Sequence, residues 1–303
     1  MNHISALKKR VFKDKAAKVV MQSLTVISLL ILLFMGVGLY LKSAPIIAEN
    51  SVWQLLSDSE WSPMSGKFGF LSFILSSVYV TGIAILIAFP IALLTALYLT
   101  ENAQSWVKKL VFPVLDILAG IPSVVYGVWG ILIIVPFISD VLGPLFVDYT
   151  SGYTVLAGGV VLSVMIIPLL VSLFIEIFST VPQDFKDASA ALGATRWQTS
   201  FLVVVRKALP GIIAAVVLAV SKAFGETLAV LMVCGNMVKN PESLFDSCYP
   251  LSALIANNYG EMLSMPMYES ALMFAALVMF VIIMIFNAVS RIILQQVEKK
   301  IKL

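Results

Sequence analysis

Long apolar runs separated by short polar segments organise this chain. Six runs stand out, at about 19–41, 70–99, 110–138, 153–178, 210–234 and 270–293. Each meets the roughly 20 residues that a helix needs to cross a bilayer. The pattern predicts an all-α membrane protein with six transmembrane helices in a single membrane domain, 19–303, behind a basic segment, 1–18. The first run is longer than a signal-peptide core and is followed only by a weak cleavage site at Ser43-Ala44, so it reads as a membrane helix. Pro90 and Pro168 interrupt the second and fourth runs, where each removes a backbone hydrogen bond that neighbouring groups must replace. Within the third run, Gly120-Ile121-Pro122-Ser123-Val124-Val125-Tyr126-Gly127 suggests a broken or closely packed helix. Two longer polar stretches remain, 179–209 and 235–269.

Composition agrees with that pattern: 60% of the residues are hydrophobic and 12% charged, against about 25% charged in soluble domains. No large soluble domain fits in the remainder. The placement of charge adds an orientation. Of twenty Lys and Arg, sixteen fall on one side of a six-span arrangement and only Lys42, Lys67 and Lys239 on the other, with Lys222 inside the fifth span. Because cytoplasmic loops carry the excess of cations, both termini and the stretch 179–209 are expected in the cytoplasm and 235–269 outside. The outer stretch carries Glu242, Asp246, Glu261 and Glu269 against Lys239, as either a solvated connection or a landing surface for an external partner.

Candidate chemistry is sparse. Cys234 and Cys248 lack CxxC spacing, and the single histidine is His3, so neither a metal site nor a cofactor is expected. Both cysteines fall on the outer side, where a disulfide is chemically permitted. Lys222 and Glu226 stand four apart in an apolar run, hence about one turn apart on one helix face. Measured from a helix opening at Pro210, Lys222 lies about 18 Å along it, near the bilayer centre. A charge there costs about 2.5 to 3.5 kcal/mol, so the pair must face protein or water. It reads either as a self-neutralising ion pair or as a cation lining an anion path, with Glu226 orienting it and Ser221 and Thr227 adding hydroxyls. Asp116 and Glu176 lie near the ends of the third and fourth spans and read as structural. No GxxxxGK[ST] loop occurs, so the chain is not expected to hydrolyse ATP itself, and no nucleic-acid partner is expected.

Within 179–209 the segment Asp187-Ala188-Ser189, followed by Gly193, Ala194 and Trp197, can fold as helix, tight turn and helix, with small side chains that admit a close neighbour. This segment resembles the EAA loop of bacterial ABC importer permeases. Three stretches together, Ala119 to Gly127, Ala191 to Trp197, and Phe224-Gly225-Glu226-Thr227 running into Ala229 to Val233, are similar to the phosphate-specific permeases, nearer the PstC type than its PstA partner. The resemblance implies a type I importer permease fold of the MetI-like kind in the bacterial inner membrane. It also implies a homologous second permease, a cytoplasmic ATPase dimer docked on the EAA loop, an extracytoplasmic phosphate-binding protein, phosphate as cargo, and membrane lipid around the protein. The family's Gly-Arg-Ala-x-Gly-Glu-Thr reads Ser221-Lys222-Ala223-Phe224-Gly225-Glu226-Thr227 here, so charge is kept while arginine's bidentate fork is lost. The family's Leu-Pro after the loop is replaced by Val205-Arg206, although Leu209-Pro210 follows. Other readings left open are a permease for molybdate or phosphonate and an ion-coupled carrier or channel without an ATPase.

Overall fold

The computed structural model describes residues 2–260 and 266–301. Glu261 and Lys302 lie outside the described residues, as do the side chains of Lys8, Lys9, Arg10, Lys299 and Lys300. Six helices are long and apolar enough to cross a membrane. In chain order, α1 (Asn2–Glu49) and a short α2 (Val52–Ser57) lead through an antiparallel hairpin, β1 (Trp61–Ser62) and β2 (Lys67–Phe68), into α3 (Leu71–Glu101). There follow α4 (Ser105–Gly120), α5 (Ser123–Phe146), α6 (Val155–Ser179), α7 (Gln183–Ala191) and α8 (Arg196–Phe224). Finally come α9 (Leu228–Val233), α10 (Leu251–Asn258) and α11 (Pro266–Ile301). The crossing helices are α1, α3, α5, α6, α8 and α11.

Two spans depart from the apolar pattern. The third crosses at Ser123–Phe146 rather than 110–138. Pro122, at ψ 143°, lacks an N–H and forces Ile121 into an extended conformation at ψ 128°. The residues before it therefore form the separate helix α4, and the crossing continues past the end of the apolar run through Asp140 to Phe146. Within α5 two π turns, Gly130–Ile134 and Ile138–Leu142, lie on either side of Pro136, where the helical hydrogen-bond ladder has to give way. The fifth span starts at Arg196, passes through Pro210 and ends at Phe224, instead of running from 210 to 234. Hydropathy alone does not show the split at Pro122 or the break at Gly225, because apolar residues lie on both sides of each. The first helix also continues beyond its apolar run to Glu49.

The core centres on α3 against α6. Ala84, Ala88, Ala92 and Ala96 recur every four residues on α3 and are fully buried, so they form one stripe. They allow α6 to approach with Val161, Leu162, Ile166, Leu170, Phe174 and Phe178. Gly158 and Gly159 bring the two backbones closest: a Cβ on Gly159 would lie 2.4 Å from Ile83 Cγ2. Small residues at such crossings replace the hydrophobic drive that lipid does not supply. A second, aromatic core forms at the end of the bundle that carries the hairpin and α10. There Trp61 packs edge-on against Phe68, Phe70, Phe73 and Tyr268. The helix α1 packs on α11, where Gly36 meets Phe280 and the Ile46 N–H donates to Ser270 Oγ at 3.1 Å, and it enters the second core through Ile46 near its end.

Two glycines should respond oppositely to the same change. Gly159→Ala is expected to cost about 1 kcal/mol by overpacking and to lower the thermal midpoint in detergent. Gly82→Ala, where a Cβ meets nothing within 4 Å, should leave it unchanged or raise it, because helical glycine is less favourable than alanine by about 0.5–1 kcal/mol.

Candidate functional site

The Lys222 region is built on a helix end. Ser221 and Lys222 occupy the last turn of α8, which stops at Phe224 with Gly225 as its cap. Gly225 N–H still donates to Ser221 O at 3.3 Å, and Glu226 N–H to Ala223 O at 3.2 Å. The chain then restarts as α9. Lys222 and Glu226 are therefore not on one continuous helix face, and among the described residues no ion pair joins them. The expected placement of both residues on one helix face is corrected by the break at Gly225, and the reading as an intrahelical ion pair goes with it. The depth measured from Pro210 also loses its origin, since Pro210 lies inside α8.

What holds the break comes from elsewhere in the fold. Ser252 Oγ, on α10, donates to Glu226 O at 2.7 Å, and Thr227 Oγ1 donates to Gly225 O at 3.2 Å. Ser221 Oγ accepts from Asn287 Nδ2 of α11 at 3.3 Å. On the other side, α9 is pressed into α5: a Cβ on Gly127 would lie 3.3 Å from Ala229 Cα, and one on Gly130 would lie 2.8 Å from Val233 Cγ1. Of the two end glycines in Gly120 to Gly127, only Gly127 serves close packing, for Gly120 has nothing within 4 Å. Tyr126 OH donates to Leu118 O at 2.8 Å, bridging the break at Pro122. Lys222 itself is exposed, while Ser221, Glu226 and Thr227 are half-buried. The ammonium sits at a helix C-terminus, where the aligned peptide dipoles favour a cation. The arrangement can offer an anion one charge-assisted hydrogen bond, with hydroxyls nearby.

The segment 183–201 is a rigid helix–turn–helix. Gly193, at φ 82° with open space about its Cα, takes the left-handed conformation that ends α7. Its N–H donates to Ala190 O at 2.9 Å, and Ala194 N–H donates to Ser189 O at 3.2 Å. Thr195 then starts α8 with a capping box: its Oγ1 accepts from Gln198 N–H at 3.2 Å, and its own N–H donates to Gln198 Oε1 at 2.9 Å. The two helices are clasped by Ser189 Oγ and Thr199 Oγ1 at 2.9 Å and by Lys207 Nζ lying 4.4 Å over the Phe185 ring. Asp187 accepts from Gln183 Nε2 at 3.0 Å and faces a polar cleft of about 430 Å³ shared with Arg196. Ala188, with Phe185, Leu192 and Arg206, lines a second groove of about 520 Å³.

A contact that sequence reasoning did not find fastens this unit to the bundle. Lys186 Nζ lies 2.7 Å from Glu101 Oε1 at the end of α3, with side chains only 15% and 12% exposed. Nothing in the order of residues signals it, since 85 positions separate the partners. Leu192 and Trp197 point away from the bundle, 89% and 57% exposed, and Trp197 stacks on Phe201 at 5.7 Å. Leu192 lines the same groove as Arg206 and Lys207, so an exposed apolar side chain lies beside two cations.

The chain is similar to several known proteins. The family model described as the binding-protein-dependent transport system inner membrane component matches residues 88–303. The probable ABC transporter permease protein YqgH of Bacillus subtilis is 43% identical over 209 residues, covering 68% of this chain and 66% of that protein. The phosphate transport system permease protein PstC of Xylella fastidiosa is 34% identical over 256 residues, covering 80% of this chain and 78% of that protein. A crystal structure of a bacterial ABC transporter involved in the import of the acidic polysaccharide alginate superposes with a TM-score of 0.59 over 93% of this chain and 98% of that chain. Its identity is 16%, so the likeness establishes the fold alone. With six membrane-crossing helices of type I importer architecture and the family match over most of its length, the chain belongs to the binding-protein-dependent transport system inner membrane components, as a permease subunit of an ABC importer.

Proposed function

We propose that this permease imports phosphate, with both termini and the helix–turn–helix 183–201 in the cytoplasm. It pairs with a homologous PstA-like permease, receives cargo from an extracytoplasmic phosphate-binding protein and is driven by a cytoplasmic ATPase dimer. The observation that carries the reading is the clasped unit of α7 and the start of α8, with Leu192 and Trp197 exposed and Lys186 tied to Glu101. A groove on the ATPase accepts that face. Closure of the ATPases on ATP moves α7, and the Lys186–Glu101 pair passes the movement to α3 while α8 carries it directly toward Lys222. Asp187, Ala188, Ser189, Gly193, Ala194 and Trp197 shape the docking unit. Lys222, with Ser221, Thr227 and Glu226 nearby, supplies this subunit's half of the anion path. Phosphate as cargo is supported by the relatives named as phosphate permeases and by the cation at the helix break. The hydrolytic chemistry belongs to the partner.

Three measurements test this. In the reconstituted complex, phosphate-loaded binding protein should stimulate ATP hydrolysis while sulfate and molybdate do not. Equal stimulation by molybdate would assign another oxyanion, and a purified complex lacking an ATPase would end the reading. Lys222→Ala should abolish phosphate uptake with assembly intact, and Lys222→Arg should retain it; normal uptake by a well-inserted Lys222→Ala protein removes the lysine from the path. Lys186→Met strands Glu101, a loss of about 3 kcal/mol for a largely buried pair. It should leave hydrolysis in place but reduce uptake per ATP, and the charge exchange Lys186→Glu with Glu101→Lys should restore part of that ratio. An unchanged ratio in Lys186→Met shows that the pair transmits nothing.

A further inference from the structure

Cys234 and Cys248 are the chain's two cysteines, and the import reading uses neither. Both are fully buried and carry free thiols here. Cys234 closes α9. The chain then turns through two left-handed residues, Gly235 at φ 82° and Asn236 at φ 52°, and returns to the same place at residue 248. Cys248 N–H donates to Cys234 O at 2.9 Å, and Asn236 N–H donates to Cys248 O at 3.1 Å, a parallel bridge centred on Gly235. The bridge pairs Gly235 with Cys248, and the bond from Cys248 N–H to Cys234 O makes the two cysteines direct backbone neighbours. A disulfide spans about 4.4–6.8 Å between Cα atoms.

The side chains converge as well. Cys234 Sγ is pressed against α6, where a Cβ on Gly158 would lie 2.5 Å from it. The Cys248 side chain lies beside it. Among the described residues no cluster of three or more His, Cys, Asp or Glu stands ready to hold a metal ion, so the two cysteines stand there as a pair of neighbouring thiols.

We propose that Cys234 and Cys248 are joined by a disulfide that staples the end of α9 to the returning chain. The assignment rests on the orientation proposed above, which puts this end of the bundle outside the cytoplasm, where disulfides persist. In forming it, each thiol loses a proton and one electron. The two electrons reduce the disulfide of an extracytoplasmic thiol–disulfide oxidoreductase to its dithiol, through a mixed disulfide that the second cysteine resolves. Because both sulfurs are inaccessible in the folded protein, oxidation precedes closure of the segment 235–247 over α6.

That segment is a structural keystone. Its Asp246 and Leu244 carbonyls accept from the N–H groups of Val155 and Leu156 at 2.9 and 3.0 Å, capping the start of α6. Ser247 Oγ donates to Tyr153 O at 2.7 Å. Just beyond it, Tyr249 and Leu251 N–H groups donate to Ser76 and Ser77 of α3. The staple therefore fixes α9, and with it the far side of the break at Gly225 to Thr227, to the two central helices.

The test is thiol counting on the full chain from its native membrane, acid-quenched, denatured and alkylated with iodoacetamide before mass measurement. The wild type should take no adduct without reductant and two after reduction, and Cys248→Ser should take one without reductant. Two adducts on the unreduced wild type overturn the proposal and leave the pair as buried apolar filling. Orientation is read separately with Ser65→Cys in a Cys234→Ser, Cys248→Ser background, using a membrane-impermeant maleimide on intact cells. External labelling of that position together with two free wild-type thiols sinks the disulfide alone. Protection of that position, with labelling only after lysis, sinks the orientation and the disulfide with it.

Discussion

A helix that stops inside an apolar environment leaves carbonyl and N–H groups that lipid cannot satisfy, and the arrangement of this permease follows from how it meets that demand at Gly225-Glu226-Thr227. The break is tolerated because protein surrounds it. Ser252 reaches the Glu226 carbonyl, Thr227 folds back on Gly225, and the last N–H groups bond within the final turn of α8. Of those partners Ser252 comes from a separate element, α10, so the break fixes where α10 must lie. The re-entrant stretch between α9 and α11 then becomes a structural requirement, since it delivers Ser252.

Rigid packing and rigid capping divide the labour on either side of that break. At one end, the alanine stripe of α3 and the glycines of α6 let two backbones approach until only small side chains fit. At the other, the capping box at Thr195 and the left-handed Gly193 convert a short polar segment into a unit with few internal freedoms. On the proposed reading, a unit so held and fastened by a largely buried ion pair passes a push onward, and the hydroxyl and cation–π clasps between α7 and α8 keep that push from being lost at the turn.

How much of this the sequence displayed depends on the kind of signal. Six apolar runs gave six crossing helices, because length and hydropathy are local properties. The turn at Gly193 was visible too, since a glycine after a run of small residues is how a helix ends in the left-handed region. Pro122 was noticed, but its effect was underestimated: it splits off α4 and moves the whole third crossing toward Phe146. Pro210 misled in the opposite direction, for it looks like a helix start and is absorbed within α8. Gly225 was read as part of a continuous face, so Lys222 and Glu226 were placed together when a break divides them. The contacts Lys186–Glu101, Asn287–Ser221 and Ser252–Glu226 join residues far apart in the chain, and only the packing of the helices creates them. Asn287 alone left a trace, as a polar residue within the apolar run of α11.

The exposed Lys222 says most about what this subunit lacks. Its charge lies beside a helix end on the flank of α8, with no carboxylate paired to it among the described residues. A lysine in that setting cannot be left against hydrocarbon without a cost of several kcal/mol or a snorkelling escape. Near it, Ser221 Oγ is already bonded to Asn287, and the break at Gly225 takes Glu226 off the helix face that carries the lysine. The remaining ways to keep the ammonium solvated are water and a second polar surface brought against α8. On the proposed reading both are present: a partner permease closes the other side, and the space between them is wet and takes an anion. The unpaired lysine is thus accounted for by an incomplete path, in which one half supplies the charge and the other must supply the walls.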